Sequence, residues 1–237
     1  MVLTKDNENP DFQAGSIIIV DKPLTWTSFN VVSKIRYIIS RKLNIKKIKV
    51  GHAGTLDPLA TGVLIICTGK ATKTIESIQA AEKEYTGTFF IGATTPSYDK
   101  EMPIDNKFSI EHIDKDLMEK TRLSFLGETD QHPPIFSALK VDGKRAYKSA
   151  REGVKVKLKP RKITITDFEI DYNLPELAFK VACSKGTYIR SIAYDFGKKM
   201  NAGSYMSSLI RTRNGDYIIE DAWNLEELIE YIQNLKL

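Results

Sequence analysis

The sequence predicts an α+β fold, a single domain built on a mixed, mainly antiparallel sheet flanked by helices. Strand-like and helix-like stretches follow one another without the regular βαβ rhythm that a parallel sheet requires. No internal repeat and no Pro/Ser/Gly-rich linker divides the 237 residues. At this length one core can bury about 70–75% of the unfolded surface. Hydrophobic residues at 42% and charged residues at 27% are ordinary globular values, so collagen, coiled coil and wholesale disorder are excluded.

Residues 1–15 are expected to form a flexible lead-in, and 16–237 the folded domain. Ser16 to Val20 is a short apolar strand closed by Asp21-Lys22-Pro23. From Thr27 or Ser28, either a fair N-cap, Phe29, Val32, Ile35 and Ile38/Ile39 recur at helical spacing. Gly51 to Pro58 reads as a loop, and Val63 to Cys67 as a strand buried on both faces. A helix is predicted near Ala71–Ala80, a strand over Tyr85–Ile91 and a short helix opened by Ser109 and ending near Lys120. The turn-rich stretch Gly127–Gly153 reads as a long surface excursion, and loops of that length are usually functional. Strands are predicted over Ile163–Tyr172 and Leu177–Cys183, and a helix from Thr187 with Ile189, Ile192, Ala193 and Phe196 on one face. A last strand pair near Tyr205–Ile219 leads to Asn224-Leu225-Glu226-Glu227, a capping-box-like start to the final helix.

The formal net charge of +5 hides an asymmetry, because residues 216–237 carry six acids against Lys236 and the remainder of the chain carries the excess of cations. A basic body suggests a polyanionic partner. Arg41, Lys42, Lys46, Lys47 and Lys49 follow the first helix with no acid among them, as either a helix end favoured by the macrodipole or a phosphate-facing patch. Lys155, Lys157, Lys159 and Arg161 alternate with aliphatic residues, so they share one strand face, solvated or turned to RNA. Cys67 and Cys183 lie far apart without a C-x-x-C element and read as buried reduced thiols. Met1 to Pro10 lacks the order of a secretory signal, and no run approaches the ~20 apolar residues of a membrane span. A cytoplasmic location, a monomer and no membrane partner are therefore expected.

Several classes of chemistry lack an anchor. Gly62 to Ala71 imitates a phosphate loop with the wrong spacing, and Ala71 stands where a Ser or Thr is needed. His52, His112 and His132 show no ligand spacing with acids, so no metal is expected. No G-x-S-x-G elbow is present. Two segments remain. Gly51-His52-Ala53-Gly54-Thr55-Leu56-Asp57-Pro58-Leu59-Ala60-Thr61-Gly62 presents one carboxylate among glycines. Proline holds Asp57 extended, either as a structural Asx-turn or as a rigidly presented reactive group. Ser184 to Arg190 opens a helix, with Arg190 either a surface cation or the partner of a carboxylate from another loop.

Together these segments closely resemble the TruB family of tRNA pseudouridine synthases. Lys83-Glu84-Tyr85, Asp21-Lys22-Pro23 with Thr27-Ser28, Gln131 to Lys140 (Q-H-P-P-I-F-S-A-L-K) and Leu209 with Arg211 extend the likeness over nearly the whole chain. The resemblance implies isomerisation of the T-loop uridine at position 55 of tRNA to pseudouridine, without cofactor or metal, with the T-arm stem-loop as partner. It implies Asp57 as the catalytic aspartate paired with Arg190, and Tyr85 against the target base as a candidate for proton transfer. His52, Tyr188 and Leu209 would line the pocket with Lys22 nearby, and residues 131–153 would form an RNA-binding loop. Thr25 stands where the family's first motif has glycine, and the T-x-T-x-D pattern survives only approximately around Thr95 and Asp99. The chain ends soon after its final helix, so no C-terminal PUA domain is expected.

Overall fold

A computed structural model describes residues 1–5, 10–136, 140, 141, 144, 145 and 158–236. In chain order these form β1 (Ile17–Lys22), α1 (Ser28–Lys42), β2 (Val50–His52), β3 (Ala60–Thr68), α2 (Ile75–Ala80), β4 (Lys83–Ile91), β5 (Ala93–Thr94) and β6 (Asn106–Lys107). There follow α3 (Lys115–Leu123), β7 (Gly127–Gln131), β8 (Lys140–Val141), β9 (Lys144–Arg145), β10 (Arg161–Ile170) and β11 (Glu176–Cys183). The chain closes with α4 (Ile189–Lys199), β12 (Ser204–Asn214), β13 (Tyr217–Ile218), β14 (Trp223–Asn224) and α5 (Leu225–Asn234). The architecture is the expected α+β type with a mixed, mainly antiparallel sheet: β1 runs parallel to β14 and antiparallel to β3.

The residues gather into two compact units, Met1–Tyr85 with Ile210–Leu237, and Thr86–Leu209. The boundaries fall inside β4 and β12. That is why no linker composition marks them: the chain crosses from unit to unit as strand, whose side chains still alternate and pair.

In the first unit the strand order is β14–β1–β3–β12, with β2 added to β3 and β13 to β12. β3 is buried throughout except at Thr61, as its continuous apolar run demands. Ile19, Ala53, Val63, Ile65 and Cys67 form a core against which Ile75, Ile78 and Tyr217 pack. α1 begins where Thr27 accepts a hydrogen bond from the Asn30 N–H at 3.0 Å, and it buries Val31, Val32, Ile35, Ile38 and Ile39. α5 begins where Asn224 accepts from the Glu226 and Glu227 N–H groups. Segment 1–15 is docked rather than loose among its described residues. Leu3 and Phe12 are 2% and 1% exposed, and the Leu3 N–H donates to Ile17 at 2.7 Å.

In the second unit the order runs from the Ser204–Leu209 part of β12 through β4, β11 and β10 to β7. Its core is aromatic: Phe89 stacks on Phe179 at 4.1 Å, and Phe125, Phe168 and Phe196 meet at 5.9–6.0 Å.

Three elements differ from the sequence expectation. The helix expected from Ser109 starts at Lys115, because the Asp114 carboxylate caps the Leu117 N–H at 2.8 Å while Ser109 accepts only within a turn. Gly127–Gln131 is a strand, antiparallel to β10; its polar sequence shows no alternation to betray it. The expected loop at Gly51 begins as β2, paired to β3. Of the excursion over 131–153, residues 137–139, 142, 143 and 146–153 lie outside the described residues, as do Lys155 and Lys157.

Candidate active site

Within the first unit, the loop between β2 and β3 is held at several points by donors from other elements. Asn214 donates to the Ala53 carbonyl at 3.2 Å, and Arg211 donates to Gly54 at 3.1 Å and to Val63 at 2.7 Å. Ser28, at the start of α1, accepts from the Leu56 N–H at 2.9 Å and donates to the Leu56 carbonyl at 3.2 Å. The Thr25 N–H donates to Pro58 at 2.8 Å, and the Ala60 N–H closes the turn on the Asp57 carbonyl at 3.1 Å. Asp57 therefore sits half-buried on a backbone fixed on both sides. Gly62, just inside β3, has φ +99°, where a Cβ would stand 2.3 Å from the Arg211 carbonyl oxygen. Only glycine fits there.

Lys22 lies beneath the same loop with no exposed surface. Its ammonium donates to the carbonyls of Pro23 at 2.8 Å, Trp26 at 2.6 Å and Pro58 at 3.4 Å. Burial lowers its pKa to about 8, and the nearby carboxylates of Asp57 and Asp21 oppose that fall. His52 is half-buried on β2, and burial holds its pKa below the usual imidazole value, so its ring is neutral at pH 7. Tyr85 is buried at 8% exposure on β4. Lys22, His52, Asp57 and Tyr85 thus all belong to the first unit, with Lys22 in electrostatic reach of Asp57.

Tyr188, Arg190 and Leu209 belong to the second unit. Arg190 stands in the first turn of α4, where the helix dipole disfavours a cation, and it is 4% exposed. Asp99 faces it at 3.6 Å and is itself 3% exposed. The guanidinium also donates to the carbonyls of Ser97 at 3.2 Å and Phe136 at 3.0 Å. Asp99 is fixed in turn, since its carboxylate accepts from the Glu101 N–H and its carbonyl from the Thr95 and Ser97 hydroxyls. Tyr98 beside it stacks on Tyr194 at 4.1 Å, and burial pushes its phenol up to about 12. Leu209 is buried at 7%. Tyr188 caps α4 without a side-chain hydrogen bond of its own.

Sequence reading passed over three of these residues. Asp99 showed only as the last letter of a degraded pattern, although a buried arginine requires an acid nearby. Asn214 sits in a run of charged strand residues. Gln131 stood at the head of a turn-rich stretch, yet its amide accepts from the Tyr188 N–H at 2.7 Å and donates to the Tyr188 carbonyl at 3.0 Å.

Residues 40–189 match the model of the N-terminal domain of TruB family pseudouridylate synthases. The chain belongs to the TruB family. Among TruB relatives, tRNA pseudouridine synthase B of Flavobacterium johnsoniae is 54% identical over 94% of this chain and 98% of its own length. The Phocaeicola vulgatus enzyme of the same name is 54% identical over 96% and 97%. The solved structures of a Cbf5–Nop10–Gar1 complex and of an H/ACA RNP bound to a substrate RNA containing 2'-deoxyuridine also share the fold. They superpose with TM-scores of 0.70 and 0.67 at 27% and 26% identity. This TruB chain covers 96% and 93% of itself in those matches but spans only 61% and 54% of the matched chains. Among its described residues no helix is long and apolar enough to cross a membrane, and no group of three or more His, Cys, Asp or Glu forms a metal-binding cluster.

Proposed function

We propose that this TruB protein isomerises uridine 55 in the T-loop of tRNA to pseudouridine, acting as a cytoplasmic monomer without cofactor. The carrying observation is Asp57, a carboxylate on a backbone locked by Arg211, Asn214 and Ser28. The reaction breaks the C1′–N1 bond, turns the uracil and forms C1′–C5; C5 loses a proton and N1 gains one. No electrons or external groups are exchanged, so a cofactor has nothing to supply.

The chemistry needs an ionised carboxylate beside the sugar, whether it adds to C1′, adds to the base or removes a sugar proton. Asp57 takes that role, with Arg190 as its counter-cation and Tyr85 against the base as proton-transfer candidate. A guanidinium favours the charged carboxylate against desolvation. The uridine must first leave its stack, at a cost of a few kcal/mol. Aromatic faces such as Tyr85 and Tyr188 offset about 1–3 kcal/mol of that. The family resemblance gives His52, Leu209 and Lys22 contacts to the target nucleoside, and residues 131–153 contacts to the RNA.

The test is incubation with an unmodified T-arm transcript. Pseudouridine is expected from the wild-type protein and none from Asp57→Asn, which should still fold and bind RNA. Appreciable turnover by Asp57→Asn removes Asp57 from the mechanism. Release of free uracil would indicate a hydrolase instead, and RNA binding without product a non-catalytic binding protein.

A further inference from the structure

Arg190 and Tyr188 are presented by a helix that supplies no side-chain cap at its own start. Something else must hold that start, and two residues of the neighbouring strand pair do so. Gln131 on β7 and Arg161 on β10 are direct partners in the antiparallel register. Gln131, 3% exposed, grips the Tyr188 backbone with both halves of its amide, at 2.7 and 3.0 Å. Arg161 lies over the Tyr188 ring at 4.8 Å and donates to the Gly186 carbonyl at 3.1 Å. Gly186 has φ +80°, and a Cβ there would meet the Arg161 guanidinium at 3.2 Å. One residue past the end of β7, the His132 carbonyl accepts from the Ser191 hydroxyl at 2.7 Å. The turn before α4 is thus held by backbone, by ring face and from beyond.

We propose that the cross-strand pair Gln131–Arg161 is a positioning device for the reaction, fixing Tyr188 directly and Arg190 through the first turn of α4. This rests on the function proposed above. The amide at position 131 is chemically specific: residue 188 turns its backbone N–H and its carbonyl to it, and only a side chain carrying both an acceptor and a donor answers each. A carboxylate answers the N–H alone and repels the carbonyl; an aliphatic chain answers neither. At position 161 the planar guanidinium covers a ring and donates sideways at once, which an ammonium cannot reproduce. Neither residue touches reacting atoms. Each acts by where it keeps Tyr188 and Arg190, and a displacement of about 1 Å can cost about 10²-fold in rate.

The experiment measures single-turnover pseudouridine formation and T-arm affinity for Gln131→Met, Gln131→Glu, Arg161→Met and Arg161→Lys. All are assayed well below their melting temperatures by circular dichroism. Expected is a rate loss of roughly 10–100-fold with affinity within about twofold of wild type. Arg161→Lys should not restore the rate, and Gln131→Met should add little to the loss already caused by Arg190→Lys, because both act through one group. Full rate in a folded Gln131→Glu variant, losses that multiply in the double variant, or rescue by Arg161→Lys with the defect confined to affinity would each overturn the proposal. The last would make Arg161 a phosphate contact, marked by a salt slope lower by about 1 for Arg161→Met. If Arg190→Lys alone keeps full rate, the assignment of Arg190 fails rather than the positioning pair.

Discussion

Lys22 is a charged group without exposed surface, and its titration makes its position measurable. Its pKa is about 8 in the folded chain against 10.5 for a free lysine. Between those values the unfolded chain holds a proton that the folded chain has released, so folding stability rises with pH across that window. The steeper rise should disappear in Lys22→Met, as read by denaturant unfolding at pH 7.5 and 9.5. The same variant should lose about 2 kcal/mol or more at pH 7, because three backbone carbonyls lose their donor. Thr25 offers a second test. Its φ of 69° places a β-branched residue in the left-handed region, at a cost of roughly 1–2 kcal/mol. Thr25→Gly is expected to stabilise the fold by about 0.5–1 kcal/mol after the extra freedom of the unfolded chain is subtracted. The turn thus keeps the conformation that glycine would favour. The sequence marked the position as unusual but could not disclose that threonine is held there by the Pro58 carbonyl.

At the scale of elements, the loop bearing Asp57 depends on β12, more than a hundred residues away in sequence. Arg211 is 1% exposed and spends its hydrogen bonds on the carbonyls of Val63 and Gly54. Arg211→Met should destabilise by about 2–4 kcal/mol, because two carbonyls lose a charged donor, and should loosen Gly54 amide exchange before global unfolding. Gly62→Ala is expected to be worse tolerated, since its methyl would meet backbone rather than a movable side chain. β1, α1, β3, α4 and α5 were legible because each carries a clear apolar period and, for α1 and α5, a capping residue. β7 and the start of α3 were not: a polar edge strand has no period, and choosing Asp114 over Ser109 needs the three-dimensional path. The rigid, glycine-flanked turn that presents Asp57 was legible, whereas the Asp99 partner of Arg190 depends on long-range packing that spacing cannot encode.

For the molecule as a whole, the excess of basic charge outside residues 216–237 predicts RNA binding that weakens steeply with salt. With about five phosphate contacts, affinity for a T-arm should fall roughly 10²–10³-fold between 50 and 200 mM salt; a flat response in a filter-binding titration would exclude a phosphate-tracking surface. Arg190→Ala should lower the rate far more than the affinity. No composition shift marks the two compact units, because the chain changes unit in mid-strand at Tyr85 and Leu209.

That arrangement has a consequence in time. The first unit takes its opening residues from Met1–Tyr85 and its closing ones from Ile210–Leu237. Trp223 donates to the Leu3 carbonyl at 3.2 Å and Lys5 meets Glu227 at 2.8 Å, so the two stretches of this unit are stitched to each other. A ribosome delivers the first of these stretches well before the second. The nascent Asp57 segment must therefore wait, its carbonyls unclaimed, until Arg211 and Asn214 emerge, while the contiguous stretch between them can already have folded.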